Sequence, residues 1–394
     1  MWRDNANATS VTVTMPDTAR WDIFCRVVDN FGDAGVCWRL ARQLAAERDD
    51  AVRLWSDDLA PLARMWPGID PTKGEQRCAG VEVRCWRDRL PDVNPHDAVI
   101  EAFGCDVPEP FVAAMAARVP QPAWINLEYL SAEDWIESHH LLPSLHPRLP
   151  LTKHFFFPGF TSRSGGLLRE AGLLEQRDAL RRDPVAQRAF WRSVALEPPA
   201  AGELRISLFA YPGAPIATLL TAWAGGDRQI HCMLAEGVLP AEVANFYGSV
   251  PAIGRTIERG RLRLTIVPFL SQPDYDRLLW LCDLNFVRGE DSFVRAQWAA
   301  RPMVWQIYPQ QGNAHRVKLD AFLRRYGAAS GHEAGTALAG LFRAWNGEGD
   351  VAAAWYAATS FLSRWEKGAD EWCNALSGCP DLMRALAEAV ENRL

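Results

Sequence analysis

The segment Ile23-Phe-Cys-Arg-Val-Val28, followed by Asp29-Asn-Phe-Gly-Asp-Ala-Gly-Val36, is the most informative part of the chain. The first run is continuously apolar except for one arginine and predicts a buried strand. After the turn, Val36-Cys-Trp-Arg-Leu-Ala-Arg-Gln-Leu44 predicts a helix. This order places Asp29 and Asp33 at the carboxyl end of a first strand, where open α/β sheets bind ligands.

Two aspartates four residues apart in one turn repel each other, and this lowers stability unless a bound group compensates their negative charge. An acidic residue at a helix start also has an ordinary explanation as a cap that favours the helix dipole, most simply for Asp33. Gly32 and Gly35 are expected to let the backbone turn tightly. The turn lacks the G-x-G-x-x-G pattern, which disfavours a dinucleotide-dependent dehydrogenase.

The composition is that of an ordinary globular protein. The chain has 394 residues, 48% hydrophobic and 23% charged, enough for two domains. A formal charge of −6 does not suggest a nucleic-acid partner. Nine cysteines without a C-x-x-C pattern indicate reduced thiols in a cytoplasmic protein. We expect no signal peptide and no contact with a membrane, because no apolar run approaches the length of a span.

Strands and helices alternate along most of the chain, which predicts mostly parallel sheets covered by helices on both faces. The first series of predicted strands continues with Val52–Trp55, Val81–Cys85, Ala98–Phe103 and Ala123–Leu127. The second series has Leu204–Phe209, Gln229–Met233, Leu262–Val267, Leu284–Val287 and Met303–Ile307, with helices at Gln272–Leu281 and Asp291–Ala300. After Asn313 the pattern is helical and ends in an amphipathic helix, Leu382–Asn392.

We therefore predict an α/β protein with two Rossmann-like domains that face each other across a cleft. The expected divisions are a disordered leader (1–20), an N-terminal domain (21–165), a helical linker region (166–202), a C-terminal domain (203–365) and C-terminal helices (366–394).

The second series carries unusual side chains just after its strands. All are expected on the carboxyl edge of one sheet, and together they could bind a nucleotide: Phe209, Tyr211, Phe269, Gln272, Tyr275, Arg288, Glu290, Asp291, Ser292 and Tyr308. Aromatic rings can stack on a base, and Gln272 could contact its edge. Arg288 can bind a phosphate through two bonds. A helix that starts at Asp291-Ser292 presents free N–H groups to a diphosphate, and Glu290 could accept from sugar hydroxyls.

Each of these residues also has a structural explanation. Arg288 and Glu290 could form a salt bridge, Asp291 could be a helix cap and Phe269 could belong to the core. The pair Asp274-Tyr-Asp276 resembles a metal-binding D-x-D motif, but residues i and i+2 of a helix point apart. We therefore predict no metal ion and no cofactor.

Several long segments resemble the bacterial protein-arginine rhamnosyltransferases of elongation factor P. They are Asp22 to Arg42 with its Asp29-Asn-Phe-Gly-Asp33 turn, Phe-Pro-Gly-Phe-Thr161, Gly-Gly-Leu-Leu-Arg-Glu170, Phe209-Ala-Tyr211 and Arg288-Gly-Glu-Asp-Ser292. The matches occur in order from residue 22 to beyond residue 310.

This resemblance implies a GT-B fold and transfer of L-rhamnose from dTDP-β-L-rhamnose to one arginine of elongation factor P. It implies inversion at the anomeric carbon and a role in translation through polyproline. The C-terminal domain would hold the donor and the N-terminal domain the acceptor. In such folds the last helix usually crosses back to the first domain, which we expect for residues after about 365.

The chemistry of sugar transfer to an arginine agrees with a turn that carries both Asp29 and Asp33. A guanidinium has a pKa above about 12 and is a poor nucleophile while charged, so a carboxylate must orient it and accept a proton. We assign Asp33 as the base and Asp29 as its positioning partner, in an order that could be reversed. Asn30 and Phe31 could shape the acceptor pocket. Two alternatives remain: a GT-B transferase with another acceptor, such as a glycan, and a non-catalytic module that binds nucleotide sugars.

Overall fold

The structure is a computed structural model that describes residues 19–392, apart from residues 30, 87–92, 199, 201, 239, 250, 311 and 313. The expected leader, except for its last two residues, and Asn30 therefore lie outside the described residues.

The first sheet contains eight strands in the order β3-β4-β2-β1-β5-β6-β8-β7. The strands from β4 to β8 in this order are parallel, and β3 and β7 are antiparallel edges. Without these edges the order is that of a Rossmann domain. The strands are β1 Arg20–Cys25, β2 Ala51–Ser56, β3 Glu75–Cys78, β4 Val81–Cys85, β5 Ala98–Ala102, β6 Ala123–Leu127, β7 Pro143–Leu145 and β8 Thr152–Phe156.

Four helices connect these strands: α1 Gly32–Arg48, α2 Ala60–Met65, α3 Glu109–Ala117 and α4 Ile136–His139. Two further helices lead to the second half, α5 Leu173–Arg182 and α6 Pro184–Ser193. Strands β1 and β5 are buried along almost their whole length because helices cover both faces of the sheet.

The second sheet has six strands in the order β11-β12-β10-β9-β13-β14, of which only β11 is antiparallel among the described strands. Its strands are β9 Leu204–Leu208, β10 Ile230–Ala235, β11 Thr256–Arg259, β12 Leu262–Val267, β13 Leu284–Arg288 and β14 Met303–Gln306. The connecting helices are α7 Ile216–Gly225, α8 Pro240–Tyr247, α9 Gln272–Leu281 and α10 Asp291–Trp298. The predicted α/β architecture with two Rossmann-like sheets is confirmed.

The last part is helical, with α11 Ala314–Ala328, α12 His332–Trp345, α13 Val351–Thr359, α14 Leu362–Ser377 and α15 Leu382–Glu391. Helices α11 to α14 contribute to the core of the second sheet. Helix α15 instead packs on the first half, where Leu386 and Val390 share a buried cluster with Ile23 and Leu40.

Some predicted boundaries were wrong. Strand β1 ends at Cys25 rather than Val28, because the N–H of Val27 bonds to the Asp57 carboxylate and the N–H of Val28 to Asp33. Helix α1 begins at Gly32 rather than Val36, so Gly35 lies inside the helix and not in the turn. In the region 166–202, which was expected to be helical, the helices are α5 and α6, and Leu167 instead pairs with Asp381 as a β-bridge.

Candidate active site

The two sheets meet at the point where the order of the strands in each sheet reverses. β1 has later strands on both sides, and so does β9; ligands bind at such points in open sheets. The loops after β1, β9, β12 and β13 surround a cavity of about 630 Å³ between the halves. Its walls include these predicted site residues: Asp29, Phe31, Phe209, Tyr211, Phe269, Gln272, Tyr275, Arg288, Asp291 and Ser292.

Asp33 lies in the first turn of α1 and is only 2% exposed. Its Oδ2 accepts hydrogen bonds from the N–H groups of Val28 (2.9 Å) and Asp29 (2.8 Å). Its Oδ1 accepts from the Tyr129 hydroxyl at 3.2 Å. Asp33 is therefore not the helix cap, a position that Phe31 occupies. Its carboxylate reaches back and fixes the loop that carries Asp29.

Asp29 lines the cavity and accepts a short hydrogen bond from the hydroxyl of Tyr211, which belongs to the other half. Burial raises the pKa of the Asp29 carboxyl; the Tyr211 bond lowers that pKa, Asp33 raises it and Arg288 lowers it. Two glycines make room for the carboxylate. A Cβ at Gly32 or at Gly289 would lie 2.6 Å from its Oδ2, and Gly289 also has φ +61°.

Arg288 ends strand β13, and its guanidinium lies over two aromatic rings. The guanidinium carbon is 4.1 Å from the centre of the Phe209 ring and 4.4 Å from that of Tyr211. Nη1 donates to the carbonyl of Ala210 at 3.0 Å. Burial lowers the pKa of the guanidinium. This cation is held by neutral groups, so it can bind an anion in the cavity without first breaking an ion pair.

Glu290 does not form the considered salt bridge with Arg288. Its Oε2 accepts from the N–H of Leu130 in the first half, at 3.1 Å. Burial raises the pKa of Glu290 to about 8; the Leu130 bond opposes this rise and the charge of Asp33 adds to it. Tyr129, the residue before Leu130, stacks on Phe103 with ring centres 4.4 Å apart. Glu290 therefore faces the acidic turn of the first half, not the cavity.

The residues predicted to bind the nucleotide differ from one another in their ring contacts, hydrogen-bond partners and exposure. The rings of Phe209 and Tyr275 meet edge to face, with their centres 6.0 Å apart. The hydroxyl of Tyr275 is buried without a hydrogen-bond partner. Gln272 donates from Nε2 to the carbonyl of Gly35 at 3.1 Å, while its buried Oε1 has no partner. Tyr308 is 41% exposed and contacts Tyr211, outside the cavity wall.

Asp291 and Ser292 begin α10, but their side chains already have partners. The Asp291 carboxylate accepts from Nε of Arg39, on α1, at 2.8 Å. The Ser292 hydroxyl accepts the N–H of Arg288 at 3.1 Å and donates to the Arg288 carbonyl. The helix cap is Glu290, so a capping role for Asp291 is wrong. The side chain of Asp291 joins the two halves, and only the N–H groups of the helix start remain for an anion.

Arg39 and Arg295 form a buried ionic network with three carboxylates. Asp276 binds both guanidinium groups, with four contacts of 2.8–3.0 Å. Glu170 contacts both arginines, and its pKa falls to about 2 because they outweigh the effect of burial. Asp274 instead binds Arg277. The two acids of the D-x-D pattern therefore point to different arginines.

One further site residue was predicted on the acceptor side, and others were not predicted. Phe31, expected in the acceptor pocket, lies on the cavity wall with its ring centre 5.0 Å from that of Phe269. Arg64 of α2 reaches the same wall from the first half. Tyr129 is the second residue after strand β6, so the strand-end argument could have identified it. Arg39 lies inside the segment from Asp22 to Arg42 that carries the family resemblance, but no role was assigned to it, and Arg64 belongs to no recognisable pattern.

Two Rossmann-like halves with facing carboxyl edges define a GT-B glycosyltransferase. The cleft has an acidic turn on one side and a cavity with aromatic and cationic walls on the other. This is the class that the fold and site indicate.

The comparisons identify the family. A family model described as elongation factor P (EF-P) rhamnosyltransferase EarP matches residues 21–391. The protein-arginine rhamnosyltransferase of Pseudomonas putida is 48% identical over 95% of this chain and all of its own length. That of Pseudomonas aeruginosa is 47% identical over 94% of this chain and 98% of its own.

Solved structures agree with this result. One that concerns EarP-mediated arginine glycosylation of translation elongation factor EF-P has a TM-score of 0.69 and 37% identity, and covers 96% of this chain and all of its own. A glycosyltransferase of Rickettsia africae has a TM-score of 0.51 at 7% identity and supports the fold alone.

The chain belongs to the EF-P rhamnosyltransferase EarP family, and it is a glycosyltransferase. None of the helices in the described part of the chain has the length and apolar character needed to cross a bilayer.

Proposed function

We propose that this enzyme transfers L-rhamnose from dTDP-β-L-rhamnose to an arginine side chain of elongation factor P, with inversion at the anomeric carbon. The observation that carries the proposal is the position of Asp29. It lines the cavity between Asp33 on the acceptor side and Tyr211 and Arg288 on the donor side. The names and identities of the relatives support rhamnose and arginine as substrates.

An excess of negative charge on the first half suits an arginine acceptor. Asp29 and Asp33 form an acidic group there, in which burial and the charge of Asp33 raise the pKa of the Asp29 carboxyl. A guanidinium entering this group would relieve the repulsion and find planar hydrogen-bond acceptors. The carboxylates would hold one nitrogen toward the anomeric carbon of the donor.

We assign the proton to Asp33, whose carboxylate is oriented by three donors. Asp29 then positions the guanidinium or the sugar. The reverse order has support of its own, because Asp29 lines the cavity and its raised pKa makes it a better proton acceptor than an ordinary aspartate.

On the donor side, Phe209, Phe269, Gln272 and Tyr275 would hold thymine. Arg288, Tyr211 and the N–H groups at the start of α10 would stabilise the diphosphate. Tyr308 would assist through its contact with Tyr211. These groups supply positive charge and hydrogen bonds to the leaving group, so we propose transfer without a bound metal ion.

The reaction is a single displacement. The guanidinium nitrogen forms a bond to the anomeric carbon, and the bond from that carbon to the phosphate oxygen breaks. Its electron pair leaves with dTDP, and the nitrogen loses one proton to the carboxylate. Attack opposite the leaving group converts the β-linked donor into an α-rhamnosyl arginine. The sugar gains positive charge in the transition state, which nearby carboxylates stabilise.

We place the enzyme in the cytoplasm, where elongation factor P works on the ribosome, and we propose that the modification supports translation of polyproline. The family resemblance supports both statements.

Intact-protein mass spectrometry of elongation factor P, after incubation with this enzyme, dTDP-rhamnose and EDTA, tests the proposal. We expect a gain of one deoxyhexose at a single arginine, and no gain when that arginine is replaced by lysine. No gain, with dTDP binding intact in calorimetry, would favour a transferase with another acceptor. No donor turnover with any acceptor would favour a non-catalytic binding module.

A further inference from the structure

Arg64 is a cation of the first half that lies on the wall of the nucleotide cavity. It is in the last turn of helix α2. Its guanidinium carbon is 4.4 Å from the centre of the Phe269 ring and 5.9 Å from that of Phe31. Phe269 belongs to the second half and Phe31 to the first, so Arg64 covers an aromatic contact that closes the cleft at this point.

The charges around the cavity make this arginine significant. Among the described residues that line the cavity, Arg64 and Arg288 are the positively charged ones. A nucleoside diphosphate carries a negative charge on each phosphate, and Arg288 supplies one cation. The wall also holds carboxylates, among them Glu236 and Glu242, which a single cation does not balance.

The present partner of Arg64 is weak. Its Nη2 is 3.9 Å from Oε1 of Glu236, and the Arg64 side chain is 54% exposed. The other oxygen of Glu236 accepts the N–H of Phe269 at 2.9 Å. Glu236 thus has a structural bond of its own and does not depend on Arg64. An exposed pair at this distance contributes little energy, so the guanidinium can exchange Glu236 for a stronger anion.

We propose that Arg64 is a donor-binding residue contributed by the first half, whose positive charge holds the diphosphate of the nucleotide sugar. The inference rests on the nucleotide-sugar donor proposed above. It means that both halves bind the donor, so the cavity has its full affinity only when the cleft is closed.

Calorimetric titration of the purified enzyme with dTDP tests the inference. The test variants are Arg64→Gln, which removes the charge, and Arg64→Lys, which keeps it. The matched control is Arg42→Ala. Arg42 also places its guanidinium over an aromatic ring, 4.1 Å from the centre of Trp66, but is not on the cavity wall. Arg288→Ala is the positive control for loss of a donor contact.

We expect Arg64→Gln to weaken dTDP binding roughly five- to twentyfold, and Arg64→Lys and Arg42→Ala to stay within about threefold of the unmodified enzyme. The loss should shrink at high salt. Unchanged binding by Arg64→Gln would overturn the inference. Equal losses for Arg64→Gln and Arg64→Lys would overturn the role of charge. If the unmodified enzyme does not bind dTDP, the proposed donor is wrong, which is a distinct outcome.

Discussion

Asp33 combines a structural position with a proposed chemical role, and substitution by asparagine separates the two. The amide oxygen of asparagine can still accept from the N–H groups of Val28 and Asp29, so the loop should keep its shape. The charge and the proton acceptor are lost. We expect Asp33→Asn to reduce turnover by about 10²–10⁴-fold, measured by mass spectrometry, and to change dTDP affinity only a few-fold.

Asp50→Asn is the matched control. Asp50 is equally buried and accepts the N–H of Ala19 at 2.9 Å, at the opposite edge of the same sheet. It should lower stability without changing the turnover of folded enzyme. If Asp29→Asn abolishes turnover while Asp33→Asn retains it, the two aspartates have the reverse roles. A collapse of dTDP affinity in Asp33→Asn would mean that Asp33 is structural.

Glu290 should make stability depend on pH. In the folded protein its pKa is about 8, against 4.5 for an exposed glutamate. Between these values the unfolded chain has lost the proton and the folded chain has kept it, so the free energy of unfolding falls as pH rises. We expect the melting temperature of the unmodified enzyme to fall between pH 5 and pH 8 relative to that of Glu290→Gln. Parallel curves for the two proteins would show that Glu290 titrates normally.

Individual side-chain roles were only partly predictable from sequence. Strand ends identified the acids and aromatic residues, because parallel strands end on one edge. The sequence could not show that Asp291 binds Arg39 across the cleft, or that Glu290 turns toward Leu130. Such contacts join residues that are far apart in the chain, so no local pattern records them.

At the level of elements, helix α1 owes its close approach to the second half to Gly35. A Cβ there would lie 3.1 Å from Oδ2 of Asp291 and 3.2 Å from Nε2 of Gln272. Both side chains are held by other bonds and can move little. Alanine in a helix is about 1 kcal/mol more stable than glycine, and these close contacts should offset that gain. We expect Gly35→Ala to leave stability nearly unchanged and to lower kcat.

Gly340 provides the control, because it lies inside α12 and a Cβ there meets no atom within 4 Å. Gly340→Ala should stabilise by up to about 1 kcal/mol in thermal or denaturant unfolding, with kcat unchanged. If Gly35→Ala is stabilised equally and is fully active, the neighbours of Gly35 yield and the close approach has no function.

Most elements of the sheets were predictable, since buried parallel strands form continuous apolar runs and helix α9 has the predicted bounds, Gln272–Leu281. The edge strands β3, β7 and β11 were missed. They are short and only partly buried, so their sequences carry no apolar run. Strand β8 was also not predicted, because polar residues occupy its first half.

For the whole molecule, Arg39 holds the halves together. Replacing it by methionine leaves the carboxylate of Asp291 buried without its cation, which costs about 3–5 kcal/mol in typical buried pairs. We expect Arg39→Met to reduce the free energy of unfolding by an amount in this range. It should also increase the radius of gyration in X-ray scattering, lower kcat at least tenfold and weaken dTDP binding, because residues of both halves line the cavity.

Arg53→Met is the control that separates the loss of stability from the opening of the cleft and the loss of kcat. Arg53 forms an equally buried pair with Asp22, Nε to Oδ1 2.6 Å, inside the first sheet. It should lose similar stability but keep its radius of gyration and kcat. Matching kcat losses in both variants would mean that the Arg39 network serves only stability.

Helix α15 ties the first half to a segment made much later. The strands of the first sheet are complete at Phe156, whereas α15 begins at Leu382. Ribosomes synthesise about 5–20 residues per second. The helix that covers Ile23 and Leu40 is therefore completed roughly 10–50 s after the last strand of the first sheet. During that interval its apolar face is open to chaperones and to misassembly. The yield of active enzyme should therefore depend on chaperone supply more than its final stability suggests.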